Sequence, residues 1–265
     1  MFYRPILRLA LALVLSVAFG LFSASQTEAQ TRTRPTVVLV HGAFAESSSW
    51  NGVIAELEGD GYRVVAAPNP LRSVRSDAAT VAAVVRAIEG PVVLVGHSYG
   101  GPVITEAAAG QPNVKALVYV SAFAPDVGES ALTLSGKYPG STLADALVPV
   151  ALPDGGQDLY IRPERFHAQF AADVPADQAA LLAATQRPVT QAALAEPATA
   201  AAWKALPTYV IYGSADLNIP PAAMAFMAER AGARESRVVE GASHALMVSH
   251  PAEVAAMIET AAEAN

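Results

Sequence analysis

Runs of β-branched and other apolar residues recur along this chain, with amphipathic segments of helical length between them. Continuous apolar runs are typical of strands buried on both faces of a parallel sheet. They predict strands at Thr36–Val40, Tyr62–Ala66, Val92–Val95, Val114–Val120, Thr208–Tyr212 and Glu235–Val239. Helices are predicted at about 48–58, 76–88, 100–109, 220–231 and 251–263. The alternation indicates an α/β fold with a doubly wound, mostly parallel, six-stranded sheet. Its ligand chemistry is then expected at the carboxyl ends of the strands.

One long segment interrupts this alternation. Residues 124–203 show no clear strand pattern and hold Pro, Gly and short helical patches at Pro163–Ala172 and Ala176–Ala184. A segment of this length is too long for a simple connection between a strand and a helix. We therefore expect a helical cap inserted into a single domain that spans residues 30–265.

The first 29 residues have the pattern of a secretory signal peptide. Arg4 and Arg8 precede an apolar run over residues 9–22, and small and polar residues follow it. The best cleavage point is after Ala29, with a site after Ser25 as the alternative. An uncleaved membrane anchor is the other interpretation, but the apolar run is short for a membrane span. We expect a periplasmic or secreted protein with no stable membrane association once the signal is removed.

Composition excludes several classes of protein. Hydrophobic residues make up 52% of the chain, which is enough for a large core and argues against general disorder. The formal net charge of −7 argues against binding to nucleic acid, because such proteins need a basic face. The absence of cysteine excludes disulfides, thiolate catalysis and cysteine-ligated metals. The sequence also lacks a Gly-rich phosphate loop and a His-x-x-x-His pattern, so we expect neither a metal nor a cofactor.

The most informative motif follows the third predicted strand directly. Gly96-His97-Ser98-Tyr99-Gly100 is a G-x-S-x-G sequence between a buried strand and a helix. In that context the serine lies on a tight turn and is a nucleophile. A structural Gly-Ser turn is the alternative interpretation.

A serine nucleophile needs a base and an orienting acid. His244 follows the last predicted strand and Asp216 follows the fifth, so both belong to the same edge of the sheet as Ser98. The chain order Ser98, Asp216, His244 is that of α/β-hydrolases. Asp126, after the fourth strand, is the rival acid. The remaining histidines are not expected to act as the base. His41 shapes the loop after the first strand, and His97 flanks the serine. His167 belongs to the cap, and His250 begins a helix.

Two backbone N–H groups are expected to form an oxyanion hole. One belongs to Tyr99, the residue after the nucleophile. The other comes from the loop after the first strand, with Ala43 as the first choice and Phe44 as the alternative. Gly42 allows that loop to fold back over the site.

These motifs together resemble the α/β-hydrolase fold superfamily over nearly all of the predicted mature chain. Within it, the chain resembles the branch of methylesterases, hydroxynitrile lyases and related carboxylesterases. The matching segments are Val38–Ala43, Gly61–Val64, Gly96–Gly101, Asp216 with Ile219-Pro220, and Gly241–His244. The resemblance implies an acyl-serine mechanism on an ester, with catalytic roles for Ser98, Asp216 and His244 and oxyanion roles for Ala43 and Tyr99.

Two departures from the lyases favour an esterase. The lyases carry threonine where this chain has Gly42, and lysine where it has Ala245. The chain also begins at what would be the third strand of the full family sheet. A lyase, a cofactor-free perhydrolase and a non-catalytic ligand-binding protein remain the alternatives.

The substrate is less well defined by the sequence. Phe44, Phe123, Tyr138 and Phe166 are candidates to line an apolar pocket between core and cap, although aromatic residues are often plain core. We expect a small apolar or aromatic ester as substrate, and a monomer or a homodimer as the active form.

Overall fold

The computed structural model describes residues 34–153 and 155–264. The signal peptide predicted at residues 1–29 lies outside the described residues. The strands are β1 (Thr36–Val40), β2 (Val64–Ala67), β3 (Val92–His97), β4 (Val114–Val120), β5 (Leu147–Ala151), β6 (Gln157–Ile161), β7 (Val189–Thr190), β8 (Thr208–Gly213) and β9 (Glu235–Val239).

Helices follow the strands in the predicted alternation. They are α1 (Asn51–Gly59), α2 (Val74–Arg86), α3 (Gly100–Ala107), α4 (Ala131–Ser135), α5 (Leu143–Ala146), α6 (Pro163–Phe170), α7 (Ala176–Thr185), α8 (Gln191–Ala195), α9 (Pro221–Arg230), α10 (Leu246–Ser249) and α11 (Pro251–Glu263). Short 3₁₀ helices lie at Ser47–Trp50 and Ala202–Lys204. Among the described residues, no helix has both the length and the apolar character needed to cross a membrane.

Six of the strands form one sheet in the order β2-β1-β3-β4-β8-β9, and every neighbouring pair is parallel. The predicted doubly wound, six-stranded sheet is confirmed. Strands β1 and β3 are buried along their whole length, because α2 and α3 pack together over the sheet and α1 and α11 form a second layer against it. The edge strand β9 alternates exposed and half-buried residues, as expected where helices cover it less.

The cap lies between β4 and β8, and it is more than a group of helices. Strands β5, β6 and β7 form a three-stranded antiparallel sheet within it. These strands were not predicted from the sequence, for a physical reason. The strand β5 is exposed over its last three residues and contains Pro149, so no continuous apolar run marks it. Proline is tolerated there because β5 is an edge strand of this small sheet.

Hydrogen bonds and an ion pair join the cap to the loop that precedes α2. The Arg72 guanidinium lies 2.6 Å from the Asp158 carboxylate on β6. The backbone N–H of Thr190 donates to the Leu71 carbonyl at 3.1 Å. These contacts attach the cap to the loop that follows β2.

The carboxyl end of β8 depends on a residue without a side chain, which generates the first prediction. A Cβ atom on Gly213 would lie 2.1 Å from the carbonyl oxygen of Ala242, in the loop that carries His244. Because backbone has to move to admit it, we expect Gly213→Ala to lower the free energy of unfolding by about 1–3 kcal/mol. Urea denaturation measures this value.

Gly59→Ala is the matched control, because a Cβ at this last residue of α1 would have no atom within 4 Å. Alanine favours the helix over glycine by up to about 1 kcal/mol, so this variant should be unchanged or slightly stabilised. Equal stability of the two variants would contradict the structural account of Gly213.

Candidate active site

The turn between β3 and α3 places Ser98 in a left-handed backbone conformation with φ of 53°. Residues other than glycine rarely adopt this conformation, and it occurs where surrounding structure enforces it. The backbone of β1 lies close to this turn. A Cβ on Gly100 would be only 2.5 Å from the carbonyl oxygen of Val40, so a residue without a side chain is needed there. The serine is 7% exposed and borders a cavity.

The loop after β1 approaches the same turn. A Cβ on Gly42 would lie 2.6 Å from the Cβ of Ser98 and 2.7 Å from the carbonyl oxygen of His97. Any side chain at position 42 would therefore push the loop away from the serine. The Asn69 side chain also stabilises this loop, because it donates a hydrogen bond of 2.7 Å to the His41 carbonyl.

Asp216 and His244 are paired by a hydrogen bond. The Nδ1 atom of His244 lies 2.7 Å from Oδ2 of Asp216, and both side chains are almost fully buried. The other carboxylate oxygen of Asp216 accepts backbone N–H bonds from Asn218 and Ile219, at 2.8 and 2.9 Å. These bonds fix the carboxylate, and the carboxylate in turn orients the imidazole with Nδ1–H as donor. Nε2 of His244 is buried and has no hydrogen-bond partner among the described residues.

The rival acid, Asp126, lies elsewhere. Its carboxylate pairs with the ammonium group of Lys204 at 2.5 Å on the surface, and this hydrogen bond lowers its pKa. Of the other histidines, His167 faces the Val174 carbonyl within the cap, and His250 lies 3.3 Å from Asp173. None of these three side chains contacts Asp216.

His97 holds the backbone of His244. Its Nε2 lies 3.0 Å from the carbonyl oxygen of His244, so Nε2 carries the proton and donates it to that oxygen. The two imidazoles are in contact, with ring centroids 4.8 Å apart and ring planes tilted by 51°. The sequence predicts His97 only as a neighbour of the serine, because no local signal reveals its contact with a residue 147 positions away.

Phe170, on the cap helix α6, also packs against His244. Its ring lies 5.0 Å from the His244 ring and 6.5 Å from the Phe44 ring, each in an edge-on arrangement. Its carbonyl accepts hydrogen bonds from the backbone N–H of Ala245 at 2.9 Å and the hydroxyl of Ser243 at 3.2 Å. A cap residue thus packs on His244 and holds the residues on both sides of it.

Three backbone N–H groups near Ser98 differ in whether they have an acceptor within the described part of the chain. The N–H of Phe44 already donates to the carbonyl of Arg187 in the cap, at 2.9 Å. Within the described residues, neither the Ala43 N–H nor the Tyr99 N–H has an acceptor. Ala43 is therefore better placed than Phe44 to bind an oxyanion. The Tyr99 side chain points elsewhere and donates to Asp77 at 3.0 Å.

A cavity of about 120 Å³ adjoins Ser98. Its wall combines core residues around the serine with cap residues from the segment between β4 and β8. The lining residues are Ala43, Phe44, Ser98, Tyr99, Phe123, Ala131, Leu132, Ser135, Ser141, Leu143, Ala144, Leu147, Leu194, Asn218 and Ile219. No charged side chain is among them.

Two of the four predicted substrate contacts line this cavity and two do not. Phe44 and Phe123 are in the wall. Tyr138 instead packs against Phe226 at 5.9 Å, and Phe166 is fully buried against Phe170 at 4.9 Å. The cap leucines of the wall were missed because nothing in sequence distinguishes an apolar residue facing a cavity from one in the core.

Burial controls the charge of the two histidines beside the serine. It lowers the pKa of His41 to about 4, and it lowers the pKa of His97 well below its usual value, with the nearby His244 adding to the effect. Both imidazoles are therefore neutral at pH 7. In the part of the chain that the structure describes, no cluster of His, Cys, Asp or Glu could hold a metal ion.

Comparison with known proteins agrees with this architecture. A model of the alpha/beta hydrolase family matches residues 37–257. The alpha/beta hydrolase nvfD of Aspergillus novofumigatus (strain IBT 16806) is 30% identical over 250 residues, covering 86% of this chain and 97% of the relative. The pyrethroid hydrolase of Sphingobium wenxiniae is 30% identical over 158 residues, covering 53% of this chain and 56% of the relative.

A solved structure has a similar fold. The crystal structure of polyneuridine aldehyde esterase superposes with a TM-score of 0.74, covering 86% of this chain and 98% of that one. Its sequence identity of 22% makes this a likeness of fold.

The low pKa of His41 predicts a pH-dependent stability. Because its pKa falls from 6.5 in the unfolded chain to about 4 in the folded one, protonation favours unfolding. The contribution of His41 is complete above about pH 7 and is lost as the pH falls toward 4. Between pH 7.5 and 5.0, the free energy of unfolding of the natural protein should fall by about 2 kcal/mol more than that of His41→Gln. Urea titrations at the two pH values test this, and parallel losses in both proteins would contradict it.

Proposed function

The chain belongs to the α/β-hydrolase family, and on that basis we propose that it is a carboxylesterase acting on small apolar or aromatic esters through an acyl-serine intermediate. The observation that carries the proposal is the buried hydrogen bond between His244 and Asp216. This bond orients the imidazole as a base on the loop after β9. Ser98, on the turn between β3 and α3, borders the cavity proposed to bind the substrate.

In the proposed mechanism Ser98 is the nucleophile, and His244 carries protons in both halves of the reaction. Nε2 of His244 accepts the hydroxyl proton of Ser98 as Oγ bonds to the ester carbonyl carbon. The N–H groups of Ala43 and Tyr99 donate to the resulting oxyanion. The C–O bond to the alcohol then breaks, and the alcohol leaves with the proton from His244. Water then gives a proton to the same imidazole as its oxygen bonds to the acyl carbon. The bond from that carbon to Oγ of Ser98 breaks, the acid leaves, and His244 returns the proton to Oγ.

The cavity supports a small substrate group. A cavity of about 150 Å³ accommodates benzene, and the volume of about 120 Å³ here is slightly smaller. The apolar wall favours an alkyl or phenyl group without charge, because a buried charge without a partner is strongly unfavourable. The names of the relatives agree with ester cleavage, since they include a carbendazim hydrolyzing esterase from a Nocardioides species.

The contact between Gly42 and Ser98 argues against the lyase alternative. A threonine at position 42 would place its Cβ 2.6 Å from the serine Cβ, and so the loop would have to move. A perhydrolase would use the same residues. A non-catalytic binding protein would have no need for the aligned Asp216 and His244.

Substitution of the proposed catalytic residues is the direct test. We expect Ser98→Ala to reduce kcat/KM on p-nitrophenyl butyrate by at least about 10³-fold and to lose labelling by a fluorophosphonate. Asp216→Asn should reduce kcat by about 10³–10⁴-fold, because the imidazole loses its orienting acceptor.

Asp126→Asn is the matched control for the second variant, since its carboxylate pairs with Lys204 and does not contact His244. It should retain the natural activity. Folded protein that neither cleaves the ester nor labels at Ser98 would refute the esterase proposal. Cyanohydrin cleavage and peracid formation would then be assayed.

Export is a second part of the proposal. The charged and apolar pattern of residues 1–29 supports a signal peptide that is removed after Ala29 or after Ser25. N-terminal sequencing of the protein recovered from the periplasm or medium should therefore begin at Gln30 or Gln26. Full-length protein retained in the membrane fraction would instead favour the anchor.

A further inference from the structure

A single polar amide faces the otherwise mostly apolar cavity. Asn218 lies two residues after Asp216, is 2% exposed and lines the cavity wall. Its Nδ2 atom has no hydrogen-bond partner among the described residues. Buried amide donors are nearly always paired in folded proteins, so a buried donor left open at a cavity wall points to a ligand.

Neighbouring hydrogen bonds determine which end of this amide faces the cavity. Nε2 of Gln169 donates to the backbone carbonyl of Leu217 at 2.9 Å and to Oδ1 of Asn218 at 2.8 Å. A backbone carbonyl is only an acceptor, so the Gln169 atom that faces it has to be the nitrogen. The Asn218 atom that faces the same nitrogen then has to be the oxygen. The NH₂ group is therefore the end of the Asn218 amide that has no hydrogen-bond partner among the described residues.

The hydroxyl of Thr142 completes the arrangement. It donates to Oε1 of Gln169 at 2.8 Å, and so holds the glutamine in the same orientation. Thr142 and Gln169 both belong to the cap, whereas Asn218 follows β8. The cap therefore fixes the direction of a donor that the core supplies.

The other polar groups of the wall do not supply an acceptor for this donor. The hydroxyl of Ser141 donates to the backbone carbonyl of Asn218 at 2.9 Å. No charged side chain lines the cavity. A carboxylate in this position would be buried without a cation, which is unfavourable, whereas a neutral oxygen can accept the hydrogen bond without that penalty.

We propose that the NH₂ group of Asn218 binds a neutral acceptor oxygen on the substrate, so that the preferred esters carry a keto or ether oxygen in addition to the ester group. This inference rests on the proposed esterase function and deepens it. Asn218 acts as a specificity residue, because it touches a part of the substrate where no bond changes.

Pairs of esters that differ by one ether oxygen provide the test. p-Nitrophenyl methoxyacetate is compared with the butyrate, and p-nitrophenyl 3-methoxypropanoate with the pentanoate. On the alcohol side, 2-methoxyethyl butyrate is compared with butyl butyrate. In each pair an oxygen replaces a CH₂ group, so size is nearly constant. The readout is the ratio of kcat/KM for the ether ester to that for the alkyl ester.

In at least one pair, this ratio should be about 3- to 10-fold higher in the natural enzyme than in Asn218→Leu, which is the effect of one neutral hydrogen bond. Dividing by the variant removes the intrinsic reactivity of the ether esters. Asn218→Asp is a second variant, because it keeps an oxygen toward Gln169 and converts the donor into an acceptor. Its ratio should be as low as that of Asn218→Leu or lower.

Ser135→Ala removes a different hydroxyl of the wall, and it should keep the natural ratio. Ratios equal in the natural enzyme and both Asn218 variants, with ester turnover intact, would overturn this inference and leave the esterase proposal standing. A ratio that falls only in Ser135→Ala would also overturn it. Absence of turnover on every ester, in folded protein, would overturn both.

Discussion

The site depends on a close backbone approach at the carboxyl edge of the sheet. Strands β1 and β3 are hydrogen-bonded neighbours, so the loops that follow them have to share one small volume. Gly100 and Gly42 make this possible, because a side chain at either position would collide with backbone or with Ser98 itself. Ser98 adopts its left-handed conformation within this crowded turn and borders the cavity.

The cap contributes to the site beyond covering it. Phe170 packs on His244 and accepts hydrogen bonds from the residues on both sides of that histidine. The carboxylate of Asp173, just beyond α6, contacts the hydroxyl of Ser243. The imidazole is thus held by Asp216 from the core, by His97 from the elbow and by the cap from above. An imidazole fixed on three sides needs little reorganisation, which suits the proton transfer that we propose for His244.

The parts that were predictable from sequence are those with a local signal. The strands of the main sheet are long apolar runs. The G-x-S-x-G motif and the order of Ser98, Asp216 and His244 are also recognisable along the chain. The small sheet of the cap was missed, because a half-exposed edge strand containing Pro149 has no such signal. Two further features were also missed: the Nδ2 atom of Asn218, which has no partner among the described residues, and the hydrogen bond between His97 and His244. Each depends on contacts between residues far apart in sequence, and no single segment records them.

The hydrogen bond from the Phe44 N–H to the Arg187 carbonyl has a consequence for how such enzymes diverge. It makes a backbone atom of the cap part of the support for the loop that holds Ala43. Insertions or deletions near Arg187, which would be expected to alter only the choice of substrate, would also shift this loop. Substrate range and turnover number are therefore coupled in this scaffold, and libraries that exchange cap segments should preserve the backbone path at Arg187 if they are to yield active enzymes.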